Sequence, residues 1–461
     1  MCIRDRIGID AAVVAAHRVA IRGAVVEDFS VPTTLAGLGR LTERLAPHAG
    51  SLAVAEATAM SWLSLNVAVE RAGCGLALVE ARHSAHLRAA VAGRNKTDVI
   101  DADMLASCAD LFGLGPFRCP SAEQLALRRA VARRHRGVVE AHGADCRLWS
   151  VANWAFPDLW RAAKGSHALV AALFGRWPHL ESVARARTAT VAAMCAHHLR
   201  GADADLRAER IRQAAAGWAA FWRGRVDLDA LAWEVAELLG DRERAEAKIA
   251  RATARAVDCW QLGWGPDELL VSVPGVGPIV AATARAWLGP ATQFPSAKHA
   301  AAYVGLNPSN WESGLMASPS RPITKEGPPE LRLAFYQAAN VARRHDPQLA
   351  AFYWRLMVER RHNHIKATCA VARKLVGRAW ATLLNGEPYE LRDVDGTPVD
   401  RRVAAELVAK WTVPARRATP GTGTQRRSQA RPTVPLATPT TSARAAGGGF
   451  AAPTHGGDAR P

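Results

Sequence analysis

A chain of 461 residues with 49% hydrophobic side chains can bury two or three cores, which excludes a protein disordered throughout. Its formal net charge of +17 points to a polyanionic partner, nucleic acid before membrane, and residues 412–461, with seven Arg against one Asp, supply only part of that excess. The eight cysteines are scattered without a C-x-x-C pair, and no apolar run reaches the roughly eighteen residues that cross a bilayer, so a reducing cytoplasm is expected.

From the N-terminus, "IGIDAAVVAAHRVAIRGAVVEDFS" (7–30) reads as an apolar strand followed by two alternating strands joined by a turn at Gly23. "TTLAGLGRLTERLAP" has helical spacing, "SLAVAEAT" is an apolar strand, "AMSWLSLNVAVERAG" is helical and "GLALVEA" is a further strand. "TDVIDADMLASCADLF", with Thr97 as N-cap, is the helix that closes the unit. Three strands and then alternating helices and strands predict a mixed α/β sheet with the first strand central, in the ribonuclease H or RuvC-like arrangement, over residues 1–120. Actin-like and sugar-kinase sheets share that order but need a glycine-bearing phosphate loop, which "GIDAAVVAAH" lacks.

Strand signals vanish over 121–262, where "SAEQLALRRAVARRHRGVVEAHG" and "VDLDALAWEVAELLGDRERAEAKIARATARAV" predict a helical, coiled-coil arm suited to an oligomer contact. Its tryptophans, Trp149, Trp154, Trp160, Trp218 and Trp222, suit packing between helices better than stacking on bases. Residues 263–395 are again mainly helical. Residues 396–461 are too rich in Pro, Gly and Thr to bury a core and read as a basic, largely disordered tail.

Four acids draw attention. Asp98 and Asp101 share a helix face and repel unless a cation lies between them; the plain alternative is an acidic first turn facing the helix dipole. Asp10 ends the first strand and Glu56 the strand expected beside it, so all four can converge, and a pair of Mg²⁺ ions acting on a phosphodiester is the economical reason for such a cluster. Taken singly, Asp10 is a turn residue and Glu56 a solvent-facing neighbour.

"VPGVGPIVAATARAW" (273–287) resembles a helix-hairpin-helix turn, in which Gly275 and Gly277 let backbone N–H groups approach a phosphate; without context it is a loop. In "AAYVGLNPSNWESGLMASPSRPITKEGPPELRLAFYQAANVARR" (301–344), Ser313 precedes Gly314, and Lys325 and Arg332 follow as candidates to neutralise a phosphate. Composition alone makes Ser313 a turn serine. "CAHH" (195–198) and "HNH" (362–364) lack the partner pair that a zinc site needs.

"IGID", the Glu56 strand, "KTDVIDA", "VPGVGPIVAA", "AAYVGLNPSNWESG", "ITKEG" with "LR", and "AVARKL" follow one another as in the DEDD-type transposases of the insertion sequence 110 family, which the chain resembles over about residues 7–392. The resemblance implies a RuvC-like N-terminal domain supplying Asp10, Glu56, Asp98 and Asp101 for Mg²⁺, and a C-terminal transposase domain supplying Ser313 as nucleophile. It implies donor and target DNA as substrates, a structured bridge RNA from the element as guide, a dimer or tetramer, and a bacterial, cytoplasmic, nucleoid-associated protein. The rivals are a nuclease working with the four carboxylates alone and an inactive nucleic-acid-binding remnant.

Overall fold

In the computed structural model, which describes residues 5–12, 14–24, 26–57, 60–91, 97–199, 203–265, 269–309, 312–313, 316–317 and 322–414, the first strand β1 (Arg6–Asp10) lies at the centre of a five-stranded sheet. β2 (Ala16–Arg22) and β3 (Glu27–Pro32) extend the sheet antiparallel on one side, and β4 (Leu52–Glu56) and β5 (Gly75–Val79) extend it parallel on the other, in the order β3-β2-β1-β4-β5. Both sheet faces are covered, which is why β1 and β4 read as unbroken apolar runs. The helices α1 (Leu35–Leu45) and α2 (Ser61–Arg71) seal one face over Ile7, Ile9, Ala53 and Ala55.

The other face takes α4 (Asp98–Phe112), which packs on Val54, Ala77 and Val79. Its start is set by Thr97, whose Oγ1 accepts from the Ile100 N–H at 3.3 Å, and its end by Gly113 in the left-handed conformation at φ 58°. Between β5 and α4 stands α3 (Ala81–Val91), a helix absent from the sequence reading. Arg82, His83, Ser84, His86 and Arg88 leave it no apolar stripe to announce it.

The expected arm is a pair of long antiparallel helices, α5 (Ala122–Ala155) and α11 (Leu228–Trp264), of 34 and 37 residues. Glu140 pairs with Lys248 at 2.8 Å and Asp145 with Arg242 at 3.2 Å, and Gly137 lets the helices approach because a Cβ there would lie 2.9 Å from Ile249 Cγ1. The far end carries more than an arm. Here α6 (Pro157–Ala162), α7 (His167–Arg176), α8 (Leu180–Arg185), α9 (Thr188–His198) and α10 (Ala204–Trp222) build a core of their own around Phe156 and Phe174. The tryptophans pack within it: Trp149 lies 4.7 Å from Trp160 and Trp222 Nε1 donates to the Ala155 carbonyl at 2.6 Å, while Trp154 keeps one face exposed.

The remaining helices are α12 (Pro278–Leu288), α13 (Ala297–Tyr303), α14 (Pro329–Ala342), α15 (Pro347–Val358), α16 (His364–Asn385) and α17 (Arg401–Ala409), with a small hairpin of β6 (Glu312–Ser313) and β7 (Met316–Ala317). The base of the arm docks on α12, where Arg128 Nε donates to the Ala286 carbonyl at 2.6 Å and Gln124 Nε2 to the same oxygen at 3.2 Å, satisfying the open end of that helix. Asp346 is fully buried; it caps α15 through the Leu349 N–H and pairs with the Arg378 guanidinium and the Tyr389 hydroxyl, whose own ionisation burial pushes up. Residues 1–412 form one compact unit. The stretch read as tail from 396 therefore begins with an ordered helix, α17, capped by Asp400 and held by buried Ala404; residues 415–461 lie outside the described residues.

Candidate active site

Sheet register decides where two of the acids point. Side chains alternate along a strand, so Asp10 shares its face with Gly8 and Glu56 shares its face with Val54. Both are on the side that α4 covers. Arg6 pairs with Asp110 at 2.6 Å near the end of α4, and Gly8 lies under Ala102 and Ala106, so α4 runs antiparallel to β1. The first turn of α4, with exposed Asp98 and buried Asp101, therefore arrives at the C-terminal ends of β1 and β4. Arg18 stands directly across from Asp10 on β2, close enough for the two side chains to interact.

The unforeseen helix α3 organises this corner. Ser84, fully buried, donates to Glu56 Oε2 at 2.7 Å, and one turn later Arg88 Nε lies 2.6 Å from Asp101 Oδ1. That contact is an ion pair without an aligned hydrogen bond, since neither atom has a hydrogen-bond partner of acceptable geometry. At the start of the helix Arg82 pairs with Glu326 at 2.6 Å, across 244 residues of sequence, which ties α3 to the C-terminal half of the chain. Each partner holds the other in its charged form: Glu326 is lowered and Arg82 raised, chiefly by their mutual hydrogen bond. Both are close to half exposed, so the pair sets register more than it adds stability. Reading a helix from Ala81 would have placed Ser84 and Arg88 on one face at i, i+4 spacing.

Four carboxylates are hard oxygen donors suited in kind to a divalent ion, and the buried Asp101 Oδ1 meets Arg88 only as an ion pair, without an aligned hydrogen bond. Among the described residues, however, no three His, Cys, Asp or Glu side chains come together as a ligand set, because Asp101 faces Arg88 and Glu56 faces Ser84. Arg88→Ala should remove this built-in counter-ion. Its expected result is tighter binding of Tb³⁺ or Mn²⁺ in a titration, together with a loss of about 3 kcal/mol of metal-free stability from the unpaired buried carboxylate. Unchanged ion affinity in the variant would show that Arg88 does not compete for Asp101.

In the C-terminal half, the P-G-V-G turn differs from the helix-hairpin-helix expectation. Among the described residues it is preceded by a 3-10 turn, Leu269–Ser272. Gly275 has φ 82°, and a Cβ there would lie 2.3 Å from the Ala338 carbonyl of α14; at Gly277, the N-cap of α12, a Cβ would meet nothing within 4 Å. With His345 and Arg401, the turn lines a cavity of about 440 Å³.

Ser313 belongs to a hairpin. Its stem is built by the Thr324 N–H donating to the Asn307 carbonyl at 2.8 Å, the Ser309 N–H to the Pro322 carbonyl at 3.0 Å and the Lys325 N–H to the Gly305 carbonyl at 3.1 Å. At the tip the backbone of Ser313 pairs with Met316, and Gly314 lies outside the described residues. Lys325 sits at the base in the left-handed region, φ 57°, uncommon for a residue with a side chain. Arg332, expected on phosphate, instead spans the base of the stem, donating to the carbonyls of Val304 at 3.2 Å and Glu326 at 3.3 Å, and burial lowers its pKa. Of the two histidine-bearing stretches, Cys195 is buried in the helical core at the end of the arm, and His364 Nδ1 lies 2.8 Å from the Tyr353 hydroxyl.

A mixed five-stranded sheet of this order, with acids at the ends of its central parallel strands and at the start of the covering helix, fits a ribonuclease H-like domain of the DEDD type. Two family models match the chain: the DEDD-type IS110 "Transposase" over residues 7–157 and "Transposase IS116/IS110/IS902 family" over residues 267–354, together just over half of its length. The chain belongs to this family of insertion-element transposases.

An uncharacterised 43.6 kDa protein of insertion element IS110 from Streptomyces coelicolor is 32% identical over 126 residues, 27% of this chain and 31% of that protein. The pilin gene-inverting proteins of Moraxella lacunata and Moraxella bovis are each 30% identical over 126 residues, 27% of this chain and 39% of theirs. The similarity thus spans 31% to 39% of the length of these relatives. No helix among the described residues is long and apolar enough to cross a membrane.

Proposed function

We propose that this chain is a DNA recombinase that moves an insertion element, cutting and rejoining strands by serine transesterification at a site composed of Ser313 and the four carboxylates. The observation that carries this reading is α3, which contacts Glu56 and Asp101 through Ser84 and Arg88 and the base of the Ser313 hairpin through Arg82. One helix thus touches both the carboxylate corner and the segment at the base of the Ser313 hairpin, which supports a site drawn from residues 1–120 and 263–395.

In the first step Ser313 Oγ attacks a backbone phosphorus. The P–Oγ bond forms as the P–O bond to the adjoining nucleotide breaks, and the proton given up by serine ends on the released hydroxyl. In the second step a strand-end hydroxyl attacks the phosphoserine, breaking P–Oγ and restoring the serine. A divalent ion, Mg²⁺ in the family pattern, held by Asp10, Glu56, Asp98 and Asp101 would supply Lewis-acid stabilisation of the phosphoryl oxygens. Arg18, opposite Asp10, and Lys325, at the hairpin base, would supply positive charge toward the phosphate.

The excess of +17 favours sequence-neutral backbone binding, which suits a protein whose targets are chosen by base pairing with an element-encoded RNA. Gene inversion, named for the Moraxella relatives, and transposition are both strand exchange. A homo-oligomer would bring donor and target together.

The test is a denaturing gel of labelled donor DNA with the protein, the element's RNA and Mg²⁺, comparing the wild type with Ser313→Ala. A protease-sensitive DNA adduct formed only by the wild type is the expected result. Free cleaved DNA from both proteins would favour a carboxylate-only nuclease, and intact DNA in both lanes would favour a binding remnant.

A further inference from the structure

Beside the stem of the Ser313 hairpin lies a cavity of about 520 Å³, a size that suits a small ligand. Leu306 and Pro308 come from one strand of the stem, Pro322 and Ile323 from the other, and α16 closes the opposite wall with Cys369 and Ala370. Among the described residues, the charged side chains that line it are Lys325, Lys366 and Arg373, beside His362. The "HNH" stretch contributes His362 and Asn363 to its wall. Burial, and after it the nearby Lys366 and Arg360, lower the pKa of His362.

Two of the four left-handed residues with side chains among the described residues stand in or beside this cavity: Lys325 at φ 57° and Arg361, next to His362, at φ 52°. Backbone held in such sparsely populated regions gathers where a side chain must be aimed. At the rim Ile365 is 65% exposed, an apolar side chain left in water over a cationic opening.

An inorganic phosphate would use the cations and leave the apolar walls idle, and an apolar ligand would waste the charge. An anion with a flat apolar body satisfies both. We propose that this cavity receives one unstacked nucleotide of the DNA strand being cut, its phosphate against Lys325, Lys366 and Arg373 and its base against Ile323, Pro308 and Ile365. A base within a duplex cannot enter; a flipped one can, at an unstacking cost of a few kcal/mol. The inference rests on the recombinase reading, since the stem that walls the cavity carries Ser313 at its tip. A nucleotide seated here would hold the neighbouring phosphodiester in register with the hairpin.

The experiment places 2-aminopurine at successive positions in an unpaired segment of a DNA duplex, and in the same segment made of RNA. Fluorescence is read on binding to the wild type, Ile365→Glu and Arg373→Glu, with melting curves to verify folding and filter binding to follow overall affinity. The expected result is a rise at one DNA position with the wild type, lost in both variants at protein concentrations where filter binding shows the DNA to be bound. Ile365→Met should restore the rise, because it keeps the apolar body. An equal rise in wild type and variants, a larger rise with RNA, or no rise at any position would overturn the proposal. The readout does not require strand cutting, so a wild type that shows the rise yet forms no serine adduct would refute the recombinase chemistry while leaving the nucleotide site standing.

Discussion

Gly8→Ala is expected to detach α4 from the sheet. A Cβ at Gly8 would lie 1.9 Å from the Ala102 carbonyl oxygen and 2.4 Å from the Ala106 nitrogen, both backbone atoms of a helix that cannot yield singly. The helix must move away as a body, opening the layer that Val54, Ala77, Met104 and Leu105 fill. Overpacking against backbone in a closed core costs on the order of 3 kcal/mol or more. Function should suffer further than stability, because the same shift carries Asp98 and Asp101 away from Asp10 and Glu56. Urea unfolding would measure the first effect and strand exchange under conditions where the variant remains folded would measure the second. Wild-type stability together with wild-type exchange would mean that α4 does not pack as described.

Gly275→Ala and Gly277→Ala should separate two roles within one turn. At Gly275 a Cβ would lie 2.3 Å from the Ala338 carbonyl and 2.9 Å from the Ala342 nitrogen, in a backbone at φ 82° that side chains resist. Strain and clash together should cost about 3–4 kcal/mol, so any loss of DNA binding in this variant follows from misfolding. Gly277 is different: φ is −89° and the added methyl would meet open space at the start of α12. Gly277→Ala should melt as the wild type does, and a weakened, less salt-dependent DNA affinity in that variant would locate a phosphate on this turn. Equal melting temperatures for the two variants would contradict the packing assigned to Gly275.

Much of the sheet was legible in the residues. Period-two alternation in β2, apolar runs in β1 and β4, and a threonine before "DVIDADML" identify strands and a capped helix, because those signals are local. The long helices of the arm announce themselves in the same way. The helical head at its end does not, since α6–α9 are short and their apolar residues make sense only once Phe156 and Phe174 bring them together. The helix α3 escaped notice for the opposite reason. Its outer face is charged, and what it contributes to the corner are single contacts from Ser84 and Arg88 rather than a stripe.

The same division runs through the candidate site. The residue types were present in the chain in order: Asp10, Glu56, Asp98 and Asp101, then Gly275 and Gly277, then Ser313, Lys325 and Arg332. Carboxylates at strand ends and at a helix start, and a glycine-rich turn, depend on neighbours a few positions away, so the linear sequence determines them. Which partner each acquires was decided by tertiary structure. Asp101 faces Arg88, Glu56 receives the Ser84 hydroxyl, Arg332 is drawn to two backbone carbonyls instead of outward, and Arg82 reaches Glu326 from 244 residues away. Charge attraction and hydrogen bonding are blind to sequence separation, so only the packing of the sheet, the helices and the hairpin could select these pairs.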